Sequence, residues 1–375
     1  MSTRPRLVAE PLQRPEDLAE PMPAEASWPR LRRRLVVLGA LVVAVAAAVA
    51  LLPGLGSIRD RFADARPGWL LAGALLQVGS CLSYVLAFRG VFCRRMSWRT
   101  STEIGLSELA ANSLVSAGGA GGLALGAWIL RRGGMPAPHI AQRTVAFFLI
   151  TSLANVAAVI VGGLGLATGV LNGAPSPWLG IVPAAAGLLA VGGALLARPI
   201  ARALARRTER PRLQRGLEHL AAGVSEALRL LRTGDVAVIA GALGYMLFDV
   251  AMLGACFQAF GRDAPAAGVL LMAYLIGQLG GLIPIPGGIG GVDGGLIGTL
   301  VVYGVLVMDA TVAVLAYRGL VLLIPAALGV PTLLVLQKRL RDEATDIAAC
   351  VPGGQVEILG RGRVTNAPIP LEGGT

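Results

Sequence analysis

A chain of 375 residues that is 55% hydrophobic and only 15% charged, with a mean hydropathy of +0.69, has too little water-facing chemistry for a soluble domain; in those, about a quarter of the residues are charged. The net charge is +11, and one lysine, Lys338, stands among 32 arginines. These cations flank apolar runs with no aromatic platform beside them, which argues against nucleic acid and for anionic lipid headgroups as the partner.

Residues 1–34, rich in Pro, Glu and Arg, read as a disordered tail. The apolar run 35–52 follows Arg30, Arg32, Arg33 and Arg34 and is expected to be a retained first helix. Such a tail is long for a signal peptide, and more spans follow. Residues 68–88, 144–169, 178–197, 236–260 and 310–336 each approach or exceed the ~20 residues that cross a hydrocarbon core. Two further apolar regions are interrupted by glycine: 102–130 around SAGGAGG and 266–303 around PIPGGIGG. Gly costs a helix about 1 kcal/mol and Pro about 3 kcal/mol relative to Ala, so each region is expected to be two half-helices meeting at a break. The expected class is all-α: a polytopic membrane protein with about six full spans and two re-entrant or broken hairpins. Residues 337–375 read as a disordered tail.

Arginine placement orients the chain, since cytoplasmic loops collect Arg and Lys. The segments 89–99, 131–143, 198–235 and 338–341 are basic, as is the N-terminal tail, whereas the loops near Asn172 and Asp309 lack positive charge. The loop 59–66, mildly basic, is the exception. Both termini are therefore expected in the cytoplasm, with the chain in the plasma (inner) membrane. Nine arginines fall within 198–232, where Leu213, Leu217, Leu220, Val224, Leu228 and Leu231 recur at helical spacing. A helix on an anionic inner leaflet would have this pattern; a polar connector or a cytoplasmic protein partner are the alternatives.

The glycine clusters match. Gly118, Gly119, Gly121 and Gly122 fall on Gly287, Gly288, Gly290 and Gly291 at an offset of 169, which also lays Ala141 on Ala310 and Val145 on Val314. Two units, about 68–170 and 236–336, are expected to form an inverted repeat within the membrane region 35–336. A helix break in lipid must face protein or a wet cavity, and the half-helix after it aims its positive end there. Close helix packing would also account for glycines. Gly118, Gly119, Gly121, Gly122, Pro284, Pro286, Gly287, Gly288 and Gly290 are the candidate cavity residues. Asp293 corresponds to Ala124, so the first hairpin has no acid at its half-helix start, and the Gly121 and Gly122 amides are a candidate phosphate site.

Ionisable residues inside spans are costly and often functional. Here they are Glu103, Glu108, Asp249, Asp293 and Arg318. Arg318 lies about 12 Å into its helix by the 1.5 Å rise per residue and should meet a carboxylate, Asp293 or Asp249; the mid-span Asp249 favours the pair. Asp293 also suits a helix first turn. Glu103 is expected to be solvated, and Glu108 is the better functional candidate. Arg89 and Arg143 read as topological anchors. Cys81, Cys93, Cys256 and Cys350 show no metal or redox spacing, and His139 and His219 lie in polar loops. No metal or cofactor is expected, and G-x-S-x-G, H-E-x-x-H and Walker motifs are missing, so the chain is not expected to be an enzyme.

The segment holding Pro284, Pro286, Gly287, Gly288, Gly290, Asp293, Arg318, Pro325 and Gly329 resembles the lysylphosphatidylglycerol synthase transmembrane, or flippase-like, family. That family pairs P-x-P-G-G-x-G with a following acid, an Ala-rich helix bearing Arg, and a late Pro and Gly. The similarity spans about 68–336. Asp293 stands where Glu is usual, and the first hairpin lacks the Gly-Glu that many members carry. The resemblance implies movement or handling of a lipid or lipid-linked envelope precursor, without aminoacyl transfer. A non-transporting scaffold for an envelope-synthesis enzyme and a proton-coupled solute transporter using Asp249 or Glu108 are the alternatives.

Overall fold

The computed structural model describes residues 56–114, 120–207, 211–282 and 290–348, with Arg33, Val36 and Cys350. Among the described residues the regular elements are helices. In chain order they are α1 Gly56–Ala63, α2 Pro67–Phe92, α3 Trp98–Leu114, α4 Ala120–Arg132, α5 Ala137–Ala167 and α6 Trp178–Arg207. Then come α7 Pro211–Arg232, α8 Val236–Ala259, α9 Ala267–Gln278, which runs on into a 3-10 turn at Leu279–Leu282, α10 Gly291–Val302 and α11 Val307–Ala348. Five are long and apolar enough to cross a membrane: α2, α5, α8, Trp178–Leu196 of α6 and Val307–Leu336 of α11. Apart from Arg33 and Val36, the expected tail 1–34 and first span 35–52 lie outside the described residues.

Local chemistry accounts for the helix starts. Pro67 opens α2, where its missing N–H and fixed φ suit the first turn. Asp235 caps α8 by accepting from the Ala237 and Val238 amides at 3.1 and 3.3 Å, and also pairs with Arg94. The last helix corrects the expected tail boundary: α11 continues past Leu336 to Ala348, and Ile347 is fully buried.

α2 and α8 run antiparallel along much of their length. Gly79 faces the Phe248 ring, Gly241 lies on the Ala87 backbone, and the Arg66 amide donates to the Ala259 carbonyl at 2.7 Å. Small residues bring the two backbones close, as in bilayers, where apolar burial supplies no net attraction between helices. Because the pair is antiparallel, the α3–α4 hairpin leaves the end of α2 at one face, and the α9–α10 hairpin leaves the end of α8 at the other. Each hairpin anchors its own core. Phe88, Phe92, Ile129, Met135, Phe147 and Ile347 gather around the first. Met252, Phe257, Leu270, Leu296, Leu300 and Tyr317 gather around the second. α11 crosses the first hairpin so closely that a methyl on Gly329 would overlap the Leu106 carbonyl.

On the arginine-rich helix α7 the expected apolar stripe is only partly covered by protein. Val224 is buried, with Ala221, Ala227 and Leu230 beside it, as α7 packs on α5 and α6. Leu217, Leu228 and Leu231 are half-buried, and Leu213 and Leu220 are exposed.

Candidate functional site

In the first hairpin, α3 and α4 face each other through Glu108 and Asn112 on one side and Gly126 and Gly122 on the other. Glu108 is 1% exposed, and its Oε2 accepts from the Tyr84 hydroxyl of α2 at 2.8 Å. Its other oxygen lies over Gly126, where a methyl would overlap it. The Gly122 amide donates to Asn112 Oδ1 at 2.7 Å. One amide of the expected phosphate site on Gly121 and Gly122 is thus taken within the fold: Gly122 lies in the first turn of α4, where an amide has no intrahelical acceptor, and the facing helix supplies one. Gly118 and Gly119 lie outside the described residues.

The second hairpin is capped from within. Gly290 precedes α10 at φ 86°, a conformation glycine adopts without steric cost, and its amide donates to Asp293 Oδ2 at 2.8 Å. Asp293 Oδ1 sits 2.5 Å from Arg318 Nε on α11, with the two side chains 22% and 12% exposed. The acid thus fills both roles open to it, helix cap and counter-ion. Pro284, Pro286, Gly287 and Gly288 lie outside the described residues.

Asp249 does not meet Arg318, which corrects the pairing favoured for it. It is buried on α8, and its Oδ2 accepts from the Tyr274 hydroxyl of α9 at 3.2 Å. α11 packs on both α8 and α10, and it is α10 that sets a carboxylate, Asp293, against Arg318. Glu103 also departs from expectation: it is 8% exposed and held by Arg99 at 3.1 Å one turn earlier.

The two hairpins share one contact register. Adding 169 to the facing pair Glu108 and Gly126 gives Gly277 and Gly295, which also face each other. Adding 169 to Gly122 gives Gly291, which abuts Gly280, one residue from the counterpart of Asn112. Each hairpin also presents one tyrosine–carboxylate bond to a neighbouring span, with the roles exchanged: Tyr84 to Glu108, and Tyr274 to Asp249.

Outside this interior, an open cleft of about 590 Å³ runs between α4 and α5. Leu123, Ala127, Ile140 and Val145 wall it, and Trp128 and Arg131 stand at the arginine-rich end. Nearby, Glu226 of α7 binds Arg229 through both oxygens at 2.5 and 2.9 Å and Arg143 of α5 at 2.7 Å. The hydrogen bonds from Arg229, followed by the charge of Arg143, hold Glu226 below the usual carboxylate range. Arg143 is thus a structural ion-pair partner in addition to an end-of-span cation.

These features sit inside a region that matches a known pattern: residues 36–329 fit the family described as lysylphosphatidylglycerol synthase TM region. The chain belongs to this family. No curated protein matches the chain. Of the family-pattern residues, Gly290, Asp293, Arg318, Pro325 and Gly329 are described; Pro325 is buried inside α11, and the other four make identifiable contacts. Gly290 makes the turn, Asp293 is cap and counter-ion, Arg318 is the cation, and Gly329 permits the close helix crossing. Sequence reasoning missed Tyr84, Asn112, Tyr274 and Glu226. The available signal was tyrosine within apolar spans, since a buried hydroxyl needs a partner.

Proposed function

We propose that this family member is a transporter, not an enzyme, moving a lipid or lipid-linked envelope precursor between leaflets by alternating access around its two hairpins. The observation carrying this reading is the shared contact register of hairpins that enter from opposite faces. We read that register as an inverted repeat, the design in which broken helices form a central site. The Arg318–Asp293 pair and the buried Glu108 and Asp249 supply polar groups at the depth where such a site lies. The cleft between α4 and α5 supports a lipid as the cargo, because its apolar wall suits an acyl chain and Arg131 a phosphate. Counting arginines, we assign the face bearing Arg94, Arg131 and Arg229 to the cytoplasm and the chain to the plasma membrane, with both termini inside. Anionic phospholipid at that leaflet is the proposed partner.

The test is leaflet exchange of labelled anionic phospholipid in liposomes containing the full chain, with Arg318→Ala and Asp293→Asn alongside. Exchange by the wild type that falls at least about tenfold in both variants fits loss of a group that stabilises the moving state. Folded protein that exchanges none of the lipids tried, or variants as fast as wild type, overturns the reading. The buried Glu108 and Asp249 favour one second reading, a proton-coupled solute transporter. Solute uptake that follows a pH gradient and is abolished by Asp249→Asn would select it.

A further inference from the structure

The end of α11 crosses the base of the first hairpin. Ile347 is fully buried, packed onto Gly133 in the turn after α4; a Cβ at Gly133 would come within 2.6 Å of Ile347 Cγ2. Three residues on, Cys350 is bonded to Cys93, in the turn before α3. The two strands of chain that enter and leave the hairpin are therefore both held by one short segment, 347–350. The Cys93 turn is itself braced: Arg89 donates from Nε to the Met96 carbonyl at 2.9 Å and lies 4.5 Å over the Trp98 ring. Both cysteines pack at the edge of the core and are half-buried, whereas Cys81 and Cys256 are buried within spans. Cys350 lies beyond the region that fits the family, 36–329.

This bond sits on the arginine-rich face, where a permanent disulfide is out of place if that face meets a reducing cytoplasm. We propose that Cys93 and Cys350 form a reversible dithiol–disulfide site that latches the base of the first hairpin to the end of α11. A small-molecule disulfide is the oxidant. One cysteine thiolate attacks it, releasing one small thiol and leaving a mixed disulfide; the second cysteine displaces the other small thiol and closes the ring. Two protein thiols are oxidised and one small disulfide is reduced to two thiols. With the bond closed, the hairpin base cannot part from α11; with it open, non-covalent packing such as that of Ile347 on Gly133 holds them. The proposal rests on the cytoplasmic assignment of this face and not on lipid transport.

The test uses the purified full chain equilibrated across ratios of oxidised to reduced glutathione. Thiols are counted by a maleimide–polymer gel shift, and hydrogen exchange is followed in 93–98 and 129–136. Cys93 and Cys350 should pass together from two modified thiols to none, and Cys350→Ser should abolish the transition. Reduction should raise exchange in both segments by at least about threefold, as expected when a local opening becomes easier. Cells quenched with alkylating reagent during growth should contain both thiols free. Failure of the bond to form, unchanged exchange on reduction, or a bond already closed in growing cells would each overturn the proposal. A negative result in the leaflet-exchange assay would leave it standing.

Discussion

Replacing Asp293 and Arg318, singly and together, separates the two roles of the acid. The pair is close, with Oδ1 2.5 Å from Nε, and both side chains are largely removed from solvent. Removing one member of a buried pair strands the other charge, at a cost of about 3–5 kcal/mol. Asp293→Asn keeps an oxygen for the Gly290 amide and so reports the charge alone, whereas Asp293→Ala also loses the cap, about 1 kcal/mol more. Arg318→Met leaves a chain of similar length without the cation. Combined with Asp293→Asn it removes both charges, so the double variant should cost about 0.5–3 kcal/mol less than the two single losses added together, the range measured for contacting residues. The assay is unfolding of the purified chain in mixed micelles by titrated denaturing detergent, followed by circular dichroism. Additive losses in the double variant would refute the ion-pair reasoning, and equal losses for Asp293→Asn and Asp293→Ala would refute the capping role.

Two other perturbations test the neighbouring contacts. Gly126→Ala puts a methyl where Glu108 Oε1 lies, so the carboxylate must leave Tyr84, at about 1–3 kcal/mol for a buried group losing its partner. In a Tyr84→Phe background that same substitution should cost clearly less, and an equal cost in both backgrounds would show that the two residues do not share the contact. Glu226 gives a pH dependence with a definite sign. Its folded pKa is depressed by Arg229 first and Arg143 next, so its contribution is complete above the unfolded value of about 4.3 and is lost as pH falls through the lower folded value. Pulse proteolysis across α7 should speed up through that acid window in the wild type. A Glu226→Gln chain should be loosened at neutral pH and show no such step; identical profiles would sink the assignment.

Much of the fold was legible because it follows from composition along one dimension. Runs such as 236–260 are long and apolar, and clustered glycine and proline interrupt two of the apolar regions, so spans and breaks could be placed before any packing was considered. The pairing of Arg318 was legible only as a choice between two acids. What decides it is which helix lies beside α11 at that depth, and α10 rather than α8 presents its carboxylate there. The Glu108 slot was invisible for a similar reason. Gly126 reads as one more glycine in a glycine-rich helix until α3 is laid against it, and Tyr84 belongs to a different span altogether.

The first hairpin shows how a matched sequence pattern can hide unlike chemistry. At the half-helix start the second unit carries its own acid, Asp293, and the first carries Ala124, which by sequence alone leaves an empty positive end. The fold fills that end from across the hairpin with Asn112, a neutral acceptor. The substitution has an electrostatic consequence. A carboxylate at the second start requires a cation, which Arg318 provides, whereas an amide at the first requires none. Among the described side chains, the first hairpin can therefore change its contacts with α11 without separating a buried ion pair, and the second cannot. If one hairpin is the moving part and the other the fixed frame, this asymmetry makes the first the mover, and it is also the one whose base Cys93 and Cys350 hold.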